Sequence, residues 1–212
     1  YLNGVDEMME RAREVTQRKG YYNLDYIRSA DDMVILVHGH PSEDRLFKTV
    51  QKRLKEELDK LQVQMNLEKT REVNLKNSGC FSFLGFDIRL NRNREWKAYV
   101  SKTPRMKKRK EIGRKVKAVL KFHRGKPLEE VIQAVNAVVR GWVNYFRIGN
   151  SNSTFYKVKY FIEKKVKRFV MKRKGLKGFG WKRWSKEEIY VKWGLYQDYR
   201  IRYLYPKATS SR

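Results

Sequence analysis

The sequence contains a single cysteine, Cys80, and only three histidines among its 212 residues. One thiol excludes an intrachain disulfide, and the histidines lack partner ligands at the spacing of a zinc site. The longest uninterrupted apolar run extends only from Met33 to Val37, far less than the roughly 20 residues that span a bilayer. Because no signal-peptide pattern opens the chain either, we expect an intracellular protein, cytoplasmic if bacterial, with no membrane partner.

Acidic residues are scarce in the second half of the chain. Residues 1–100 contain 18 Lys and Arg against 16 Asp and Glu, whereas residues 101–212 contain 32 against 7. The formal net charge of +27 therefore comes almost entirely from the second half. Clustered cations bind polyanions by releasing the counterions condensed on phosphates, and a membrane surface favours one basic amphipathic helix over a basic domain of this size. The charge distribution therefore predicts nucleic acid as a partner.

Hydrophobic periodicity in the first half alternates between helical and extended patterns. This alternation predicts an α+β domain with antiparallel strands over residues 1–102. Helices are predicted at 3–19, where Gly20 ends the pattern, and at 42–60, where Ser42 is a capping residue. Extended segments are predicted near 22–28, 33–38, 63–65, 71–75, 81–89 and 96–101.

The second half has helical periodicity over most of its length. Thr103 and Pro104 have the pattern of a cap followed by the first helical residue. The apolar spacing after them predicts a three-helix bundle over residues 103–175, and a basic, aromatic tail follows at 176–212. The bundle helices are predicted at 104–121, at 127–147 after Pro127, and at 153–173 after a Ser153 cap.

Two adjacent carboxylates, Asp31 and Asp32, lie between two short strand-like segments. A turn that concentrates negative charge is stabilised by a bound cation, and carboxylates are ligands that Mg²⁺ prefers. Acids are also common turn residues. For these two residues alone a solvated Asp-Asp turn is the simpler interpretation, and the metal-binding one depends on the rest of the chain.

Three motifs follow one another in the chain: Arg28-Ser-Ala-Asp-Asp32, Met65-Asn-Leu-Glu-Lys-Thr70 and Phe83-Leu-Gly-Phe86. In this order they resemble the second half of the palm of a reverse transcriptase of the group II intron type. In the helical region, residues 135–147 are similar to the signature of the maturase-specific thumb domain, and residues 178–185 and 195–202 resemble the C-terminal end of such proteins. The resemblance implies a partial palm of antiparallel strands with helices, followed by an all-α three-helix thumb bundle.

The resemblance also implies roles for individual residues. Asp31 and Asp32 match the paired aspartates of the catalytic hairpin, which ligate Mg²⁺, and Lys69 matches a lysine near the incoming triphosphate. An ordinary exposed lysine is the alternative for Lys69. A glycine in the primer-support element, Gly85, would permit close approach of another backbone. The residues implied to support the primer terminus are Phe83, Leu84, Gly85 and Phe86.

In the thumb, we expect Trp142 and Phe146 to face the bundle core. The aromatic residues Trp181 and Trp184 either stack on bases or pack against the bundle. The cations expected to contact nucleic acid are Arg105, Lys107, Lys108, Arg140, Arg147, Lys164, Lys165, Arg168, Lys172, Arg173, Lys182 and Arg183.

Two departures from the family pattern limit what the resemblance implies. Ser29 stands where the family usually has an aromatic residue, directly before Ala-Asp-Asp. A two-metal site also needs a third carboxylate, which the family carries, with its fingers, upstream of the position where this sequence begins. We therefore expect Mg²⁺ binding to require a carboxylate from outside this chain, supplied by an N-terminal reverse-transcriptase portion or a second chain.

The sequence thus predicts the C-terminal part of a group II intron-encoded RNA-directed DNA polymerase and maturase. Its expected partner is intron RNA or a template-primer duplex, and we expect the chain alone to be inactive. The alternative is a non-catalytic RNA-binding maturase module that assists intron splicing. A third interpretation is a general basic nucleic-acid-binding protein with a chance Asp-Asp turn.

Overall fold

A computed structural model describes residues 2–17, 23–38 and 44–202 of the protein. The chain divides into two compact units, Tyr1–Phe83 and Leu84–Arg212. Helices and antiparallel strands are both present, which confirms the predicted α+β class. Within the described ranges no helix is both long and apolar enough to cross a membrane.

The first unit packs two helices against a hairpin. Helix α1 (Asn3–Val15) contacts both strand β1 (Leu24–Ser29) and helix α2 (Asp44–Lys60). Strands β1 and β2 pair antiparallel, from Leu24 opposite Val37 to Ser29 opposite Asp32. The core residues of this unit are Val5, Met8, Met9, Leu24, Val50, Leu54 and Leu58. The elements, in chain order, are α1 (Asn3–Val15), β1 (Leu24–Ser29), β2 (Asp32–Val37), α2 (Asp44–Lys60) and β3 (Cys80–Phe83).

Helix α1 and the chain after helix α2 differ from the sequence-based prediction. The apolar face of α1 ends early, because Val15 is 85% exposed. The strands predicted at 63–65 and 71–75 are wrong, since both segments are irregular. Asparagine side chains form local turns there: Asn66 accepts a hydrogen bond from the Lys69 amide, and such bonds compete with strand pairing. The predicted helix end at Gly20 and the cap at Ser42 lie outside the described residues.

The second unit is a hairpin followed by three helices. Helix α3 packs against both α4 and α5, so the predicted helices form around one shared core. The largest fully buried side chains of that core include Phe146, Phe155, Ile112, Ile132 and Ile162. The elements are β4 (Phe86–Arg92), β5 (Ala98–Pro104), α3 (Met106–Phe122), α4 (Leu128–Phe146), α5 (Asn152–Arg173) and a short π-helical segment, Glu188–Lys192.

The hairpin belongs to the helical unit because its residues enter the helical core. Phe86 is buried there, and its ring lies 5.0 Å from that of Phe146. The predicted cap at Thr103 and helix start at Pro104 are wrong, since both residues end β5, where Pro104 pairs with Phe86. A proline is tolerated at the end of a strand as well as at the start of a helix. The second compact unit therefore begins about 20 residues before the predicted bundle boundary.

The loop between α4 and α5 is tied to strand β5. Asn150 donates its backbone amide to the carbonyl oxygen of Lys102 at 2.6 Å, and its side-chain oxygen accepts from the Lys102 amide at 3.0 Å. A Cβ at Gly149 would lie 2.6 Å from the same carbonyl oxygen, so only glycine fits there. The predicted Ser153 cap is also wrong: Ser151 precedes α5, and its hydroxyl donates to the carbonyl oxygen of Phe146.

The substitution Phe146→Ala is expected to lower the free energy of unfolding of the second unit by about 3–5 kcal/mol, because it leaves a cavity in a packed core. Phe146 is 2% exposed and contacts the rings of Phe86, Trp142 and Tyr145. All five tryptophans lie in this unit, so tryptophan fluorescence during urea unfolding reports on it.

The matched control is Tyr156→Ala, because the Tyr156 ring is 74% exposed on α5. Its effect should stay within about 0.5 kcal/mol, as is usual for surface positions. Equal effects of the two substitutions would contradict the assignment of Phe146 to the core.

Candidate functional site

The turn between β1 and β2 presents Asp31 and Asp32 to solvent. Ser29 pairs with Asp32, so Ala30 and Asp31 form a two-residue turn. Ala30 has a φ of 56°, a conformation that is unfavourable for a residue with a Cβ atom. The strain is maintained by the strand pairing on either side. Ser29 is half-buried at the end of β1, where the family usually carries a ring.

Arg28 holds this turn from the side. Its Nη1 donates to the carbonyl oxygen of Ala30 at 3.0 Å. Its Nε and Nη2 donate to the two carboxylate oxygens of Asp6, at 2.8 and 2.5 Å. The hydroxyl of Tyr26 donates to the same carboxylate at 3.0 Å. A bidentate guanidinium–carboxylate pair has a defined geometry, so helix α1 orients the turn that carries the two aspartates.

The charge of Asp6 is held by this arrangement. Hydrogen bonding to the Arg28 guanidinium lowers the pKa of Asp6, although burial opposes the shift. Burial, with the hydrogen bond to Asp6, raises the pKa of Tyr26 to about 12. Asp6 is therefore an ionised partner of Arg28. Asp25, an acid on strand β1, accepts a hydrogen bond from Arg13 Nε at 3.1 Å.

The substitution Asp6→Asn is expected to destabilise the first unit near pH 7 and to destabilise it less near pH 3. A carboxyl whose pKa is lowered on folding stabilises the folded state above its ordinary pKa of about 4. That contribution is lost as the pH falls through the lowered folded value. Urea unfolding followed by far-UV circular dichroism at both pH values measures the difference.

Glu14→Gln on the exposed face of α1 is the control for this experiment. It should leave the urea midpoint unchanged at both pH values. A midpoint for Asp6→Asn that differs from the native chain by the same amount at pH 7 and pH 3 would contradict the ion-pair explanation.

Asp31 and Asp32 are chemically suited to Mg²⁺, but the set of ligands is incomplete. Neither carboxylate has an ion pair or side-chain hydrogen bond with another described residue. Among the described residues, no group of three or more His, Cys, Asp or Glu side chains fits a metal ion. Lys69 lies in the exposed turn after Asn66, and no hydrogen bond or ion pair between described residues joins it to either aspartate. The Mg²⁺ site stays a prediction.

The candidate primer-support turn is held by the helical unit. Leu84 and Gly85 both have positive φ, 47° and 78°, so the glycine is explained by the turn conformation. A Cβ at Gly85 would make only ordinary contacts. The positive φ therefore explains the glycine, and the predicted close approach of another backbone does not. Tyr145 donates its hydroxyl to the Leu84 carbonyl oxygen at 2.8 Å, and the Arg105 amide donates to that of Gly85 at 2.9 Å.

Positive charge in the helical unit is concentrated on α3 and α5. Each of these helices carries eight Lys and Arg and a single acid, whereas α4 carries one arginine and two acids. The acid on α3, Glu111, pairs with Lys108 and Lys115 at 3.1 Å, and these lysines lower its pKa. The acid on α5, Glu163, accepts from the hydroxyl of Tyr190. Helices α3 and α5 thus have more positive charge than their own acids neutralise.

Most cations predicted to contact nucleic acid are accessible. Lys164 and Lys165 are half-buried. Arg173 also donates to the Lys126 carbonyl oxygen, at 2.6 Å. The exposed members are Arg105, Lys107, Lys108, Arg140, Arg168, Lys172, Arg173, Lys182 and Arg183.

Arg147 differs from the other predicted cations, because its side chain is only 11% exposed. Its Nη2 donates to Asp198 Oδ2 at 3.3 Å and to the Tyr196 hydroxyl at 3.1 Å. Its carbonyl oxygen accepts from the Arg202 amide at 2.9 Å. Arg147 therefore fastens the C-terminal segment to the end of α4, which favours a structural role over contact with RNA.

The two tail tryptophans have different environments. Trp184 is buried and packs edge-on against Trp193 at 5.2 Å. Trp181 stacks on Tyr160 of α5, with centroids 5.2 Å apart, and the Lys164 ammonium lies 5.7 Å from its ring. Both tryptophans thus pack within the helical unit, which agrees with the predicted alternative of packing against the bundle. The contribution of Tyr160 was not predicted, since its partner lies 21 residues away.

Residues 109–193 match the family described as "Group II intron, maturase-specific domain". The match begins inside α3, includes all of α4 and α5, and ends just after the π-helical segment. No curated protein matches the chain. Residues 109–193 are therefore similar to a group II intron maturase-specific domain, which confirms the resemblance of this chain to the C-terminal portion of a group II intron maturase.

Proposed function

We propose that the chain is the C-terminal part of a group II intron-encoded RNA-directed DNA polymerase and maturase, and that its helical unit binds the intron RNA. The observation that carries this proposal is the charge of α3 and α5 within the maturase-specific domain. Both helices have many cations, and their single acids, Glu111 and Glu163, are already occupied by partners in the chain. Such a surface gains free energy from a polyanion.

In this proposal the hairpin of the first unit supplies Asp31 and Asp32 to a Mg²⁺ site. When bound, Mg²⁺ would neutralise charge on the reacting phosphates. The chain's own contribution is orientation: Arg28 holds the turn through the Ala30 carbonyl oxygen and is itself held by Asp6. A further carboxylate, from outside this chain, would complete the ligand set. The turn at Leu84 and Gly85 would support the primer.

A non-catalytic RNA-binding maturase module is the second candidate. The observation that favours it is the ligand count, because the described residues bring no third carboxylate to the hairpin. The family match also falls entirely within the helical unit. Both candidates require binding to intron RNA, and only the first requires Asp31 for DNA synthesis.

The binding proposal is tested with the full chain and two RNAs at physiological salt. One is a folded group II intron transcript and the other is an unstructured RNA of equal length. We expect the intron RNA to bind about 10-fold more tightly or better, since specific binding exceeds non-specific binding by far in such interfaces. Equal affinities would favour a general basic nucleic-acid-binding protein.

A matched pair of variants locates the binding surface. Arg168→Ala with Lys172→Ala removes two exposed charges from α5, and Lys48→Ala with Lys55→Ala removes two exposed charges from α2 in the first unit. The α5 variant should weaken intron RNA binding and the α2 variant should not. The reverse order would place the RNA-binding surface on the other unit.

A further inference from the structure

Helices α3 and α5 enclose a groove of about 830 Å³. This volume lies within the range of roughly 300–1,000 Å³ that is typical of pockets for small organic ligands. Its floor is apolar, with Ile112, Val158, Phe161 and Ile162. Its walls carry six cations, and no Asp or Glu is among the described lining residues. The six are Lys107, Arg109, Lys110, Arg114, Lys117 and Lys157.

Gly113 has no side chain, which allows the Phe161 ring of the groove to lie close to helix α3. A Cβ at Gly113 would lie 3.2 Å from Cε1 of Phe161, closer than side chains normally pack. Glycine at this helical position therefore lets the Phe161 ring lie directly against α3. Glycine in a helix interior is less favourable than alanine, and here the space it leaves is occupied by the ring. The ring is half-buried, so part of it still faces the groove.

The two cations nearest this ring form no ion pair with a described acid. The ammonium groups of Lys117 and Lys165 lie 5.9 and 5.3 Å from the Phe161 centroid. Burial, together with repulsion from Lys117, Arg168 and Lys164, lowers the pKa of Lys165. An anion placed between these groups would relieve that repulsion.

One donor in the groove has no partner in the described chain. Nε of Arg109 is buried and makes no hydrogen bond. Buried donors without a partner are rare in native proteins and cost free energy. By contrast, Lys108 and Lys115, the two α3 lysines that pair with Glu111, are not among the groove residues. Six cations of α3 form no ion pair with a described acid, and all of them except Lys121 line the groove.

We propose that this groove holds an unpaired segment of RNA, with a base against Phe161 and the flanking phosphates on the lysines and arginines of α3 and α5. The inference rests on the proposed function and specifies which form of RNA, an unpaired one, this part of the surface binds. Cations that follow a backbone next to an exposed aromatic face are typical of single-strand binding. The groove has the volume of one small-molecule site, which suits a splayed nucleotide and excludes a double helix.

The test measures binding of a single-stranded RNA of about 10 nucleotides, within the usual single-strand site size, to the full chain by fluorescence anisotropy at physiological salt. The groove variant is Lys110→Ala with Lys157→Ala. The control is Lys121→Ala with Lys174→Ala, which removes the same charge from two exposed positions outside the groove. Two lost phosphate contacts are expected to weaken single-strand binding about 10-fold more in the groove variant than in the control.

A second variant and a crosslink make the test independent of charge. Phe161→Leu should weaken single-strand binding by about 5–150-fold, the usual effect of a lost stacking contact. A photoreactive uracil in the same RNA should crosslink to peptides within 106–117 or 157–162, a readout that needs no variant. The same variants should change binding of a fully paired RNA duplex much less.

Equal losses in the groove and control variants, or crosslinks only elsewhere, would overturn the inference. So would a duplex that is affected as strongly as the single strand. If the intron transcript still binds specifically in any of these cases, the proposed function stands and only the groove assignment fails. If the native chain does not distinguish the intron transcript at all, the proposed function itself is wrong.

Discussion

Raising the salt concentration from about 50 to about 200 mM is expected to weaken RNA binding by about 10³–10⁵-fold if roughly 6–10 phosphates are contacted, taking duplex DNA as the guide. The physical reason is the release of counterions when lysine and arginine neutralise phosphates. The groove between α3 and α5 alone brings together six cations, and further exposed cations lie along α5. A titration of affinity against salt gives the number of contacts from its slope.

The same salt titration with variants identifies which cations contact phosphates. Removing one phosphate-contacting lysine should lower the slope by about 1. Lys110→Ala and Lys157→Ala are therefore expected to reduce it, whereas Lys48→Ala on α2 should leave it unchanged. An affinity that hardly changes with salt would contradict the electrostatic basis of the proposed function, whatever RNA is used.

Replacing Asp31 by asparagine is expected to reduce primer extension by about 10²–10³-fold or more in a complex complemented with a matching N-terminal reverse-transcriptase fragment. Loss of preorganised charge stabilisation at a reacting centre has effects of this size. Asparagine keeps the shape of the side chain and cannot supply the anionic ligand that Mg²⁺ prefers. Without the fragment, the native chain is expected to extend no primer, because the described residues bring no third carboxylate to Asp31 and Asp32.

Asp25→Asn is the matched control for this prediction. Asp25 is an exposed carboxylate on the same hairpin, but it accepts a hydrogen bond from Arg13, and the proposal gives it no contact with the metal ion. Its replacement should leave primer extension nearly unchanged. Extension by the native chain alone would falsify the idea that the site is completed from outside. No extension by any complemented complex would favour the non-catalytic maturase module.

Short-range patterns predicted the helical unit well. The apolar stripe of α4 depends on residues three or four positions apart, and the helix predicted at 127–147 is observed as Leu128–Phe146. Turn and cap positions were less reliable. Thr103 and Pro104 fit the start of a helix and the end of a strand equally well, and pairing with Phe86, about 18 residues earlier in the chain, decides for the strand.

Single side chains could not be placed from the sequence where a distant segment supplies the partner. Arg147 has the position expected of an RNA-contacting residue, yet Asp198, 51 residues later, takes its guanidinium. The sequence contains no local signal for this pair. Similarly, no local signal predicts the contact of Asp6 with Arg28, which orients the hairpin and spans 22 residues.

The sequence by itself determined the α+β class, the Asp-Asp turn, the maturase resemblance and the excess of positive charge after residue 100. These properties depend on local periodicity, on short motifs and on a sum of charges, none of which requires knowledge of the packing. Only the tertiary structure decided which cations are neutralised by acids and which line the groove between α3 and α5. That distinction depends on how two helices separated by about 30 residues pack together, and such packing follows from the whole core rather than from any local segment.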